Sequence, residues 1–195
     1  MIGTPLTALR RWRAGRHWLR RDPQRPRLDC RGQNNRIELG PGVRLCNSRV
    51  LIRGNGNRLS VGGDCVIIGT IELYGDGNTI AIAERTRLFD VFLAAHGGRA
   101  ICIGSDCVLG VGTDIRTSDS HPIMDAEGRR RNPDRDVEIG DRVWLPRHAN
   151  VLRGARIGAD SVIGVGAVVT GTIPPGSLAA GVPARVIADG ISWRP

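Results

Sequence analysis

Among the four histidines of the chain, His121 has the setting best suited to proton transfer. It lies in "SDSHPIMD", a polar stretch with acids on both sides. A neutral imidazole near its ordinary pKa can accept a proton from a hydroxyl at cellular pH. The five cysteines, at 30, 46, 65, 102 and 107, form an odd set without CxxC spacing. Neither a disulfide framework nor a zinc knuckle is indicated, and no metal is expected. Cys65 and Cys107 read as small packing residues rather than reactive thiols. A reduced, cytoplasmic protein is the simplest expectation. No apolar run approaches the ~18–20 residues of a membrane span, and a signal peptide's apolar centre is not expected in the opening residues.

The elements that must position His121 announce themselves by an unusual period. In "IGDRVWLPRHANVLRGARIGADSVIGVGAVV" an aliphatic returns every sixth place, at Ile139, Leu145, Val151, Ile157, Ile163 and Val169. A helix repeats near 3.6 and a half-buried strand at 2, so neither gives six. The fifth places are mostly small: Val143, Ala149, Ala155, Ser161 and Ala167, with Ile173 taken as the next. Ile103, Leu109 and Ile115 continue the register upstream. A coarser phrase repeats before that, anchored at Leu39, Val61, Ile82, Ile103 and Ile139. These observations predict a three-sided solenoid in which each hexapeptide is one flat side and its aliphatic points inward. Glycine in the second place is expected to supply the corner's backbone angles. Twenty-seven glycines and 4% aromatic residues suit such a fold and fit a helical bundle poorly.

Residues 116–136 break the register. They are polar, contain two prolines and have no inward aliphatic, so they are expected to project as a loop. Residues 1–31 form a basic arm, with nine arginines against two acids; every basic residue in the chain is arginine. Three roles compete for the arm. It could be a short helix capping the open prism end, a peripheral contact with an anionic membrane at its inner face, or an attractor for a polyanionic capsule. No nucleic-acid role is expected, because no recognisable fold accompanies the charge. The expected division is thus an arm at 1–31, a β-helix domain at 32–187 with loop 116–136, and a tail at 188–195.

The segment "IGDRVWLPRHANVLRGARIGADSVIGVGAVVTGTIPPGSLAAGVPARVI" resembles the C-terminal half of hexapeptide-repeat acyltransferases. The preceding "SDSHPIMDAEGRRRNP" resembles the loop of members that O-acetylate sugars, capsules and other glycans. The resemblance covers roughly 100–187. It implies an all-β, left-handed parallel β-helix, a homotrimer with active sites between neighbouring prisms, acetyl-CoA as acyl donor, a glycan acceptor and no metal in the chemistry. It further implies that His121 removes the acceptor proton and that the Arg147 N–H meets the developing oxyanion. Asp119 or Asp125 is a candidate to orient the imidazole, and Trp144 is placed near the acceptor and acetyl group. Val165 and Thr170 match positions along the pantetheine arm, and Arg185 a phosphate contact. The run Arg129, Arg130, Arg131, Asn132 has a counterpart in the glycan-directed members, and the resemblance implies that it meets either an acidic saccharide or the CoA 3′-phosphate. The chain departs from the pattern at Gly171 and Ala188, where relatives carry basic residues, so Arg156 or Arg153 is expected to substitute.

Rival readings remain open at this point. They are N-acetylation of an amino-sugar nucleotide, acetylation of serine or a small sugar, and a β-helical scaffold without catalysis. A metal-dependent hydratase shares the prism, but its histidine spacing is missing: His96, His121 and His148 lie 25 and 27 residues apart.

Overall fold

The computed structural model describes residues 25–194. The arm's residues 1–24 lie outside the described residues, as does Pro195. Eight strands make the first coils: β1 (Arg27–Arg31), β2 (Arg36–Leu39), β3 (Arg44–Arg53), β4 (Arg58–Val61), β5 (Val66–Tyr74), β6 (Thr79–Ile82), β7 (Arg87–His96) and β8 (Ala100–Ile103). Shorter ones follow: β9 (Val108–Leu109), β10 (Asp114–Arg116), β11 (Val137–Ile139), β12 (Trp144–Leu145), β13 (Asn150–Val151) and β14 (Arg156–Ile157). The last are β15 (Val162–Ile163), β16 (Val168–Val169), β17 (Thr172–Ile173), β18 (Leu178–Ala180) and β19 (Arg185–Ala188). Among the described residues the chain forms no helix.

The predicted anchors form one stacked column. Leu39 pairs with Val61, Val61 with Ile82, Ile82 with Ile103, Ile103 with Ile139, Ile139 with Ile157 and Ile157 with Ile173, all in parallel register. This seven-stranded sheet is one side of the prism. Leu88, Leu109, Leu145 and Ile163 carry the second side, and Leu93, Ile115, Val151 and Val169 the third. All six hexad aliphatics from Ile139 to Val169 are buried. No single coil could cover its aliphatics; stacking at ~4.8 Å gives each one neighbours above and below.

The structure corrects three sequence expectations. First, Arg27–Arg31 is not part of a separate arm, because β1 pairs in parallel with β3 and opens the first coil. Second, Ile173 is not a small fifth residue. The turn after Val169 is two residues short of the hexad, so Ile173 is the next inward anchor below Ile157. Third, the second-place glycines are not there for unusual dihedral angles. A Cβ on Gly140 would stand 2.6 Å from the Ala159 nitrogen of the next coil, and one on Gly158 would stand 2.3 Å from that of Pro175. Close approach of the coils requires them. The left-handed corner residue falls two places later, as at Arg142 (φ 51°) and Asp160 (φ 61°). These two side chains form a bidentate ion pair up that edge.

Candidate active site

The chain leaves the prism after β10 and returns at β11, so the excursion is 117–136, with Arg116 still in the sheet. Its root is tied to the coil above. Thr117 is fully buried; its hydroxyl donates to the His96 carbonyl at 3.0 Å and accepts from the His96 N–H at 2.8 Å. The two arms of the loop join where the Arg135 N–H donates to the Thr117 carbonyl at 3.0 Å. Its tip is a small turn in which the Asp125 carboxylate accepts from the Glu127 and Arg129 N–H groups.

Asn132 holds the middle together. It is 1% exposed. Its side-chain oxygen accepts from the Ile123 N–H at 2.6 Å. Its nitrogen donates to the His121 carbonyl at 2.8 Å and to Asp119 Oδ2 at 2.9 Å. Asp119 Oδ2 also accepts from Arg153 Nε at 2.6 Å, which fastens the loop to the next coil. Burial alone would raise the Asp119 pKa, but the Arg153 guanidinium and the Asn132 amide outweigh it and hold the carboxyl below its usual value.

These contacts give several expected residues a different task. Asn132, expected against the saccharide or the CoA 3′-phosphate, spends its whole amide on the loop's own backbone and on Asp119. Asp119 and Asp125, expected against the imidazole, are engaged by Asn132 and Arg153 and by the tip turn respectively. Arg153, a candidate phosphate contact, is taken up by Asp119. Arg130 bonds Asp134 Oδ1 at 2.7 Å, and Asp134 also accepts from the Ser118 hydroxyl. What remains is His121 itself. It is exposed, its backbone is fixed through Asp119 and Asn132, and its ring makes no hydrogen bond among the described residues. That is the state a base needs before its acceptor arrives.

The expected donor-binding residues lie elsewhere on the prism. Arg147 and Val165 occupy the corner between the second and third sides, where the Gly166 N–H donates to the Arg147 carbonyl. The Arg147 N–H has no partner among the described residues. Val165 is 71% exposed, and open space faces both Gly166 and Gly171. Thr170 and Arg185 are exposed as well. These residues fit an extended donor that needs a free N–H, an apolar ledge and a cation. Trp144 points outward from the second side, half-exposed, and packs against Trp193 of the tail at 5.9 Å between ring centroids. The Trp193 indole N–H donates to the Arg142 carbonyl at 2.6 Å. Nothing in the sequence announced that contact, because the tail lies outside the hexad register.

The loop therefore sits over the corner that follows the third side, at Leu152–Gly154, whereas Arg147 and Val165 sit at the corner that precedes it. Within one chain the His121 loop and the Arg147–Val165 corner flank the third face of the prism. Among the described residues no group of three His, Cys, Asp or Glu side chains is placed to hold a metal.

No family model matches the chain. It is 34% identical over 125 residues to a polysialic acid O-acetyltransferase from Neisseria meningitidis, covering 63% of this chain and 58% of that protein. It is 31% identical over 118 residues to a polysialic acid O-acetyltransferase from Escherichia coli, covering 60% of this chain and 38% of that protein. The matches thus span between about a third and three fifths of these relatives' lengths. The crystal structure of the polySia-specific acetyltransferase NeuO superposes with a TM-score of 0.70 at 27% identity, over 87% of this chain and 89% of that one. With the hexad columns and the interrupting loop, these likenesses bear out the resemblance to the hexapeptide-repeat acyltransferases and the left-handed parallel β-helix fold.

Proposed function

We propose that the chain is an acetyl-CoA-dependent O-acetyltransferase acting on a hydroxyl of an acidic bacterial polysaccharide. One observation carries this reading: an exposed, unbonded imidazole at His121, presented by a braced loop, on a prism superposing over most of its length on a polysialic acid acetyltransferase. His121 takes the acceptor's proton as its oxygen attacks the thioester carbonyl, and the Arg147 N–H receives the charge that builds on the carbonyl oxygen; collapse of the adduct breaks the C–S bond, and CoA leaves as the thiol with the proton returned from His121. Acetyl-CoA supplies an activated acyl group. Val165, Thr170 and Arg185 hold the donor along its length.

Because base and donor corner flank one face rather than meeting, the site is read as completed between neighbouring copies in a homotrimer. The loop of one copy then reaches the donor corner of the next. Peripheral membrane contact through residues 1–31 and a cytoplasmic location belong to the same reading as proposals.

The test is release of free CoA thiol with mass-spectrometric detection of acetyl gain on candidate glycans. Wild type is expected to acetylate an acidic polysaccharide, and His121→Ala to lose about 10²–10⁴-fold in rate while keeping its oligomeric size. Transfer that survives His121→Ala undiminished removes the base; gain only on amino-sugar nucleotides, serine or free sugars moves the acceptor to the rival classes.

A further inference from the structure

The outer surface of the third side, above the loop, carries a set of residues that the chemistry at His121 does not use. Tyr74 on β5 is 60% exposed and lies directly across from His96 on β7, with ring centroids 5.6 Å apart. His96 Nε2 is 3.1 Å from Glu72 Oε1, also on the outward side of β5. Both side chains are about a quarter exposed. The His96 backbone is bonded in both directions to Thr117, the first residue of the catalytic loop.

The same surface continues away from the loop onto β3 and β1. There Arg53 stands across from Tyr74, and Arg31 across from Arg53. Arg49 and Arg27 form a parallel pair on the same outward side, because Val50 and Ile52 point into the core. Arg27, Arg31, Arg49 and Arg53 share this surface with Asp29, which pairs with Arg53 and Arg31. Arg27 and Arg49 make no ion pair among the described residues.

We propose that this surface is a binding rail for an acidic glycan chain, running from the loop root toward the first coil. It rests on the acetyltransferase reading above and extends it, by assigning the polymeric part of the acceptor to residues outside the catalytic loop. A sugar ring presents a flat C–H face that covers an exposed aromatic ring, while its edge carries hydroxyls that bond a carboxylate and an imidazole. Tyr74, with Glu72 and His96 beside it, offers both in one place. Beyond Tyr74 the arginines meet the acidic groups of the following sugars. The four strands span roughly 14 Å at ~4.8 Å per step, so the rail takes several sugars and a monosaccharide uses only a fraction of it.

The test is isothermal titration of short and long fragments of polysialic acid into wild type, Tyr74→Ala, Arg49→Glu and His121→Ala, at low and high salt. The long fragment is expected to bind wild type and His121→Ala equally, to weaken with salt, and to lose about tenfold in affinity in each of the other two variants. The short fragment is expected to bind all four proteins weakly. Equal binding of the long fragment by wild type, Tyr74→Ala and Arg49→Glu overturns the rail, as does absence of saturable binding to wild type. A smaller oligomer in Tyr74→Ala by light scattering also overturns it, because the face is then covered by a second copy. Failure of the acetyltransferase reading shows separately, as absence of acetyl gain on any glycan with the wild-type protein.

Discussion

The two halves of the prism solve the same stacking problem differently. From β9 to β18 each side is a strand of two or three residues between tight corners, and the core is aliphatic at hexad spacing as far as Val169. Before β9 two sides merge into single strands of nine or ten residues, β3, β5 and β7, joined through bulges instead of full corners. The cost of that merger appears at one remaining edge, where polar side chains do the joining. The Asn57 N–H donates to Asn35 Oδ1, the Asn78 N–H and Nδ2 donate to Asn57 Oδ1, and the Gly98 N–H donates to Asn78 Oδ1. Asn57 and Asn78 are fully buried and every bond in the stack is made within the chain. Both halves share one aliphatic core, and the difference teaches that the irregular half adds to it a buried hydrogen-bond ladder at this edge. The loop leaves at the boundary between them, and the long strands give the irregular half the broad face on which Tyr74 and His96 sit.

That contrast can be broken by substitution. Asn78→Ala strands the Gly98 and Arg99 N–H groups and the Tyr74 carbonyl, while Asn57 Oδ1 keeps the backbone N–H of residue 78. At ~1–3 kcal/mol for each buried group left unpaired, urea denaturation is expected to show a loss of about 4 kcal/mol. In the regular half, Leu145→Ala removes apolar atoms without stranding a polar group, and about 3 kcal/mol is expected from the same measurement. An Asn78→Ala protein as stable as wild type would mean that the ladder contributes nothing.

The loop is predicted to respond independently of both halves. Asn132→Ala frees the Ile123 N–H and loosens Asp119, so proteolysis within 117–136 is expected to quicken while the urea midpoint of the prism moves little. A global loss as large as that of Leu145→Ala would show that the loop is part of the core. The smallest expected effect is on pH. The carboxyl of Asp119 has a lowered folded pKa, so its stabilisation is fully present above the unfolded value of ~3.9 and is lost as pH falls through the folded value. The pair with Arg153 is partly exposed, so about 1 kcal/mol or less is expected, read as faster amide exchange at Ile123 and Arg131 in acid but not at neutral pH.

How much of this the amino-acid sequence disclosed follows the same division. The hexad half was legible residue by residue as far as Val169, because each inward aliphatic there answers to one fixed geometric period; the short turn before Ile173 broke that period. The irregular half was legible only as the wider spacing of Leu39, Val61, Ile82 and Ile103. The bulges in β3, β5 and β7 vary in length, and no periodic signal marks them. At the site, the exposure of His121 and the extent of the loop were legible from polarity and broken register. The tasks of Asn132, Asp119 and Arg153 were not, since a buried amide and a solvated one have the same letter. The second-place glycines were read for the corner's backbone angles, and only the neighbouring coil shows that close approach at Gly140 and Gly158 is what requires them.

The central claim is that the base and the donor corner act together across two copies of the chain. It is tested most directly by mixing two variants, His121→Ala, which lacks the base, and Val165→Trp, which fills the open donor corner. Each alone is expected to be inactive. Unfolded together and refolded, they are expected to recover about a quarter of wild-type transfer, because in the proposed homotrimer each mixed assembly restores one intact site of its three. A mixture as inactive as its components, with mixed trimers demonstrated by native mass spectrometry, would place base and donor corner in the same copy and contradict the account.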